Sequence, residues 1–156
     1  HDVAALEQLS APLGPAIDAA RLMAGAEVAG LARRLFDDTL EYVKTREQFD
    51  QPIGRFQVIQ HRMVDAYAKV EEIQSALYRA LLNPSAPHAA VKAQIAEAAT
   101  WVAHQAVQLH GGMGMSDELG IGHGLKRIVL LSRLFGDPAF GIREYASTAL
   151  AMETAA

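Results

Sequence analysis

A chain of 156 residues, 51% of them hydrophobic, is long enough to bury one core and too short to expect two, so a single domain over residues 1–156 is predicted. The formal net charge of -4 argues against the basic stripe of a nucleic-acid binder, and charged residues interrupt every apolar run before the ~18 residues a membrane span needs. With no cysteine there is neither a disulfide framework nor a thiolate metal site, and the default expectation is a cytoplasmic protein.

His1 stands where an initiator methionine would, and the residues after it lack the charged-then-apolar order of a signal peptide, which points to a piece of a longer protein. From Pro15 to Lys44 no proline intervenes, and Ala24, Val28, Leu31, Leu35 and Tyr42 recur at helical spacing, so one helix of about 45 Å is predicted. Its two interior glycines imply close packing. "REQFDQPIGR" then breaks the chain into a loop. Phe56, Ile59, Met63, Ala66, Val70, Ile73, Leu77 and Ala80 form the stripe of a second helix ending near Leu82. Ser85 reads as the N-cap of a third, with Pro87 in its first turn. Val91, Ile95, Ala98, Val102, Ala106 and Leu109 are its apolar face, and Gly111 its left-handed C-cap. Leu125, Ile128, Val129 and Leu131 belong to a fourth helix stopped near "FGDP"; "GIGHG" before it reads as a turn. A fifth runs from Asp137 towards Met152. With no strand-like alternation, the fold class is all-α, a four-helix up-and-down bundle with a short fifth C-terminal helix.

Familiar chemistries are mostly absent. No Glu has a His three residues later, as a di-metal bundle requires, and His104 and His110 are too far apart to share a helix face, so no metal site is predicted. "GIGHG" has Leu125 where a dinucleotide fingerprint needs its third glycine. Two segments remain, "YVKTREQFDQPIGRFQ" (42–57) and "AVQLHGGMGMSDE" (106–118). Arg46 offers a charge and a fork of donors to a phosphate, and Gly111 with Gly112 lets a ligand approach the backbone. The alternative is that Arg46 caps helix carbonyls and the glycines only turn the chain.

In this order, with a helical hairpin between them, the two segments resemble the C-terminal helical domain of the acyl-CoA dehydrogenase family, whose pattern is Tyr, then Arg-x-x-Phe-Gly, then Gln, then Gln-x-x-Gly-Gly-x-Gly. The resemblance covers nearly the whole chain and implies the C-terminal domain of a larger FAD enzyme. It implies that Arg46, Gln48 and Phe49 lie against the flavin nucleotide, with Arg46 near the pyrophosphate, and that Phe56 and Gln57 make a second contact. Gln108, Leu109, Gly111 and Gly112 match the segment lining the adenosine end of a neighbouring subunit's FAD. Arg21 matches an arginine facing acyl-CoA. Asp50 stands where the family has glycine. Implied partners are the acyl-CoA substrate, a second copy or a related dehydrogenase subunit, and electron-transfer flavoprotein as acceptor. The rival reading is a helical oligomerisation module without cofactor contact.

The family's reaction is α,β-dehydrogenation of an acyl thioester, which needs a carboxylate to take the α proton. The resemblance places that group at Phe135 or, in other members, at Ala20, and neither can accept a proton. No catalytic residue is therefore assigned. Asp137 and Glu27 are displaced alternatives, and a base supplied by a partner subunit is the preferred explanation.

Overall fold

The computed structural model describes residues 13–83, 85–115 and 120–154, so the opening stretch and residues 116–119, at the end of the glycine-rich segment, lie outside the described residues. Among the described residues there are five α-helices: α1 (Gly14–Thr45), α2 (Gln57–Leu82), α3 (His88–His110), α4 (Gly120–Arg133) and α5 (Pro138–Thr154). Helix α3 packs against all four of the others. The reason lies in its composition. Its predicted stripe is buried, and so are Ala89, Ala93, Ala96, Ala99 and Ala103 on other faces, where small side chains let neighbouring helices approach. Ile73, Ile95 and Ile128, from α2, α3 and α4, lie at the bottom of the core with at most 1% of their surface exposed.

Several boundaries differ from the sequence reading. Helix α3 begins at His88 with Pro87 in the cap position, and the side-chain carbonyl of Asn83 accepts the Ser85 amide at 3.0 Å, so Ser85 is not an N-cap. "GIGHG" is the first turn of α4 rather than a loop, because Ile121 and Gly124 are buried in line with Ile128 and Leu131. A methyl group on Gly124 would sit 2.8 Å from a Leu35 methyl, so glycine here sets the approach of α4 to α1. Of the two α1 glycines, Gly25 is buried and faces Ile95, while Gly30 is exposed and a methyl there would meet none of the described residues within 4 Å. Helix α5 has 17 residues against 14 for α4: Asp137 caps it, Pro138 opens it, and no further proline follows in the sequence.

The loop after α1 contains a hairpin that the sequence did not signal. Strands β1 (Glu47–Gln48) and β2 (Gln51–Pro52) pair antiparallel around Phe49 and Asp50, whose φ values are 53° and 61°. Two successive positive φ angles define the turn whose twist suits a two-residue hairpin, a place glycine usually fills. Left-handed backbone costs an L residue about 1–2 kcal/mol, and the extra freedom of an unfolded glycine recovers part of that. Asp50→Gly should therefore stabilise the protein by about 0.5 kcal/mol, read as a higher midpoint in urea. An unchanged or lower midpoint would show that Asp50 stabilises the turn in a way its backbone angle does not suggest.

Candidate functional site

At the C-terminal end of α1 the carbonyls of Glu41 and Tyr42 have local donors. The Thr45 hydroxyl donates to Glu41 O at 3.0 Å, and the Arg46 amide donates to Tyr42 O at 2.8 Å. The Arg46 guanidinium is thus not a helix cap. It is exposed and has no hydrogen bond or ion pair among the described residues. Gln48 and Gln57 are exposed too, the Gln48 amide donating to the Glu47 carbonyl at 2.8 Å. Phe49 is 86% exposed, and its ring makes an edge-to-face contact with Phe56 at 6.1 Å. Beneath the hairpin an apolar hollow of about 350 Å³ runs between α1 and α2, walled by Leu40, Val43, Ile59 and Met63, with Lys44 and Arg55 adding positive charge. Sequence reading passed over Arg55, whose place beside Lys44 depends on the hairpin bringing them together.

The second segment meets the first through Tyr42, whose ring stacks on His110 at 4.2 Å and whose hydroxyl lies 4.0 Å from the Met113 sulfur. His110 is buried, and its Nδ1 lies 2.8 Å from Ala106 O, so Nδ1 carries the hydrogen and donates it to that carbonyl. Gln108, Gly111 and Gly112 are exposed beside it. Leu109 is different: its side chain is 9% exposed and sits in the core with Phe36, Val43 and Met63, so only its backbone can meet a ligand. The glycines have separate causes. Gly111 has φ 61° and ψ -138°, a glycine conformation other than the expected left-handed helical one. A methyl on Gly114 would come within 2.8 Å of Val107 O. At Gly112 no atom of the described residues lies within 4 Å of an added methyl and φ is ordinary, so no contact among them requires a glycine there.

Arg21 lies some 35–40 Å away along α1 at 1.5 Å per residue, and the fold does not bring it to the other candidate residues. It is 7% exposed. Its Nε donates to Phe135 O at 3.0 Å, its two terminal nitrogens to the Glu144 carboxylate at 3.1 and 3.0 Å, and one of these to Asp18 at 3.0 Å. The Phe140 ring lies 5.5 Å from the guanidinium. Four of the five N–H groups are thereby used inside the chain. Glu144 lay beyond sequence reasoning because 123 residues separate it from Arg21. Lys92 did too, set among the buried alanines of α3 outside its predicted stripe. Its Nζ donates to Ser132 O at 2.8 Å and Gly136 O at 2.7 Å. Burial pushes its pKa down, Arg21 adds to that, and Asp137 opposes it.

Both displaced carboxylates have other work. Asp137 accepts the Phe140 amide at 2.7 Å as the cap of α5. Glu27 accepts from Arg127 at 2.6 Å, and that bond holds its carboxyl below the usual range. Neither is arranged as a free proton acceptor. Among the described residues no three His, Asp or Glu side chains could hold a metal, and no helix is long and apolar enough to cross a membrane.

Comparison with known proteins settles the ancestry. The profile of the acyl-CoA dehydrogenase C-terminal domain matches residues 14–139, from the start of α1 to the start of α5. The chain belongs to the acyl-CoA dehydrogenase family. It is 39% identical over 127 residues to acyl-CoA dehydrogenase IpdE2 of Mycolicibacterium smegmatis, an alignment spanning 81% of this chain and 41% of that protein. Among solved structures, the Tcur3481-Tcur3483 steroid ACAD superposes with a TM-score of 0.80 at 27% identity, over 89% of this chain and 40% of that one. PigA with FAD and proline superposes with a TM-score of 0.77 at 29% identity, over 88% and 37%. The all-α bundle is thus that of the family's C-terminal domain, and the chain spans about two fifths of the length of these relatives.

Proposed function

We propose that this chain is the C-terminal bundle of a flavin-dependent acyl-CoA dehydrogenase, supplying FAD contacts and subunit assembly in a subunit that relies on a partner for the proton acceptor. The observation that carries the reading is the end of the bundle where Tyr42 joins the two motifs. Among the described residues, an unpaired Arg46 guanidinium, exposed Gln48, Phe49 and Gln57, and the space left open at Gly112 fit a ligand that brings phosphates and a flat ring system. Arg46 would hold the pyrophosphate, Phe49 and Phe56 would pack on the nucleotide, and the backbone at 111–112 with Gln108 would meet a neighbour's FAD. When bound, FAD supplies the hydride acceptor. This chain binds and orients. Neither Phe135 nor Ala20 can move a proton, and Asp137 and Glu27 are engaged elsewhere.

Dependence on another subunit is supported by the steroid ACAD whose name couples Tcur3481 with Tcur3483. Phe140, Ile142 and Tyr145 on α5 are large and exposed, as a helix that packs against another subunit would leave them. Electron-transfer flavoprotein is the expected acceptor in the intact enzyme. The FAD reading competes with a bundle that only pairs subunits, and the unpaired Arg46 favours the former.

The test is anaerobic. The full-length protein, purified alone and with a co-encoded dehydrogenase subunit, is mixed with a panel of acyl-CoAs while flavin absorbance is followed. Bleaching only in the mixed preparation is expected. Bleaching by the homomer alone would refute the partner-supplied base.

A further inference from the structure

Two buried cations converge on a single turn. Helix α4 ends at Arg133, and the chain then passes through Phe135 at φ 59° and Gly136 at φ 109°. Lys92 reaches this turn from α3, 4% exposed, and its Nζ holds the carbonyls of Ser132 and Gly136 at 2.8 and 2.7 Å. Arg21 reaches it from α1 and takes the Phe135 carbonyl between them at 3.0 Å. Stopping a helix needs no such arrangement, since water or a surface side chain satisfies terminal carbonyls. Burying an ammonium is costly unless each donor has a fixed acceptor. A left-handed phenylalanine is also unfavourable, and such a residue persists when its surroundings over-determine it. The Phe135 side chain nonetheless points away from the core, 44% exposed.

We propose that Lys92 is a positioning residue: by clamping the Ser132 and Gly136 carbonyls it fixes the Phe135–Gly136 turn and so aims the Phe135 ring at the acyl chain of a bound acyl thioester. The inference rests on the proposed function, in which Phe135 occupies the place of the family's carboxylate. An aromatic ring there cannot abstract a proton, but it can wall an apolar pocket and discriminate chain length. Lys92 acts on that wall from behind, without touching the ligand. As an ammonium it has three N–H groups and as an amine two, so either form can hold both carbonyls.

The test uses the intact FAD-containing assembly. Dissociation constants for butyryl-, octanoyl- and palmitoyl-CoA are measured anaerobically from the perturbation of the flavin band, for wild type, Lys92→Met, Lys92→Arg, Phe135→Ala and the double variant Lys92→Met with Phe135→Ala. Lys92→Met should change the ratio of the butyryl to palmitoyl constants by about fivefold, the scale of one misplaced aromatic contact, with FAD content unchanged. Lys92→Arg should restore most of it. In the Phe135→Ala background Lys92→Met should change the ratio no further, which a merely structural role would not produce. Lys92→Gln replaces Lys92→Met if the latter does not fold. Unchanged ratios, or ratios that shift equally with and without Phe135, would overturn the positioning role and leave the proposed function standing. Failure of the wild-type assembly to bind any of the three thioesters would sink both.

Discussion

Arg46→Ala in the intact protein should weaken FAD retention by roughly 10- to 100-fold while leaving folding almost unchanged. The two halves of that expectation have separate grounds. The Arg46 side chain is exposed and has no partner among the described residues, and the backbone at that position does the structural work: its amide donates to Tyr42 O at 2.8 Å and its carbonyl accepts the Ile53 amide at 2.8 Å. Alanine keeps both bonds, so a stability change within about 0.5 kcal/mol is expected. A guanidinium on a pyrophosphate, in contrast, makes charge-assisted hydrogen bonds of about 1.5–3 kcal/mol, which is the stated loss in affinity. Arg46→Lys should recover part of it, because a lysine keeps the charge and loses the fork. The measurement is flavin remaining per protomer after gel filtration at graded dilution. If Arg46→Ala keeps its flavin at every dilution, the bundle serves assembly alone.

How much of this was legible in the sequence follows from the range over which each interaction acts. The stripes on α2 and α3 were readable because core burial repeats every three or four residues, and Met63 through Ala80 and Val91 through Leu109 lie where periodicity placed them. The hairpin was not, since two-residue strands carry no alternation and Phe49 and Asp50 are not the residues a reader associates with two positive φ angles. The start of α4 was missed for a related reason: "GIGHG" reads as loop by composition, yet packing against Leu35 favours the absence of a side chain at Gly124. In the site, the motif residues stood out locally, whereas the Arg21–Glu144 pair and the Lys92 clamp join residues 40 to 123 positions apart. Arg46 presented two readings that only the cap geometry of α1 could separate, because helix-end cations serve carbonyls and ligands with the same chemistry.

The glycines of "QLHGGMGMS" lead to the second large effect. Gly111→Ala should destabilise the chain by about 1 kcal/mol or more, since its φ of 61° with ψ of -138° belongs to a region nearly closed to L residues. Gly114→Ala should do likewise, through a methyl placed 2.8 Å from the Val107 carbonyl. Both would lower FAD content by damaging the fold, and neither would say anything about a ligand. Gly112 separates the two causes, because among the described residues a methyl there meets nothing within 4 Å. Gly112→Ala in this chain alone should therefore keep the wild-type urea midpoint or raise it slightly, by reducing the freedom of the unfolded state. In the intact assembly, if a neighbour's FAD lies against this backbone, the added methyl holds the adenosine end away, and about a tenfold loss of flavin affinity is expected. Gly112→Leu should lose more, in proportion to the bulk that must be displaced, with the isolated chain still folded. A graded loss in the assembly beside an unchanged midpoint in the chain assigns Gly112 to contact with something outside this polypeptide. Equal flavin content in wild type, Gly112→Ala and Gly112→Leu would show that no ligand approaches there, and would shift the cofactor role wholly onto the hairpin and Arg46.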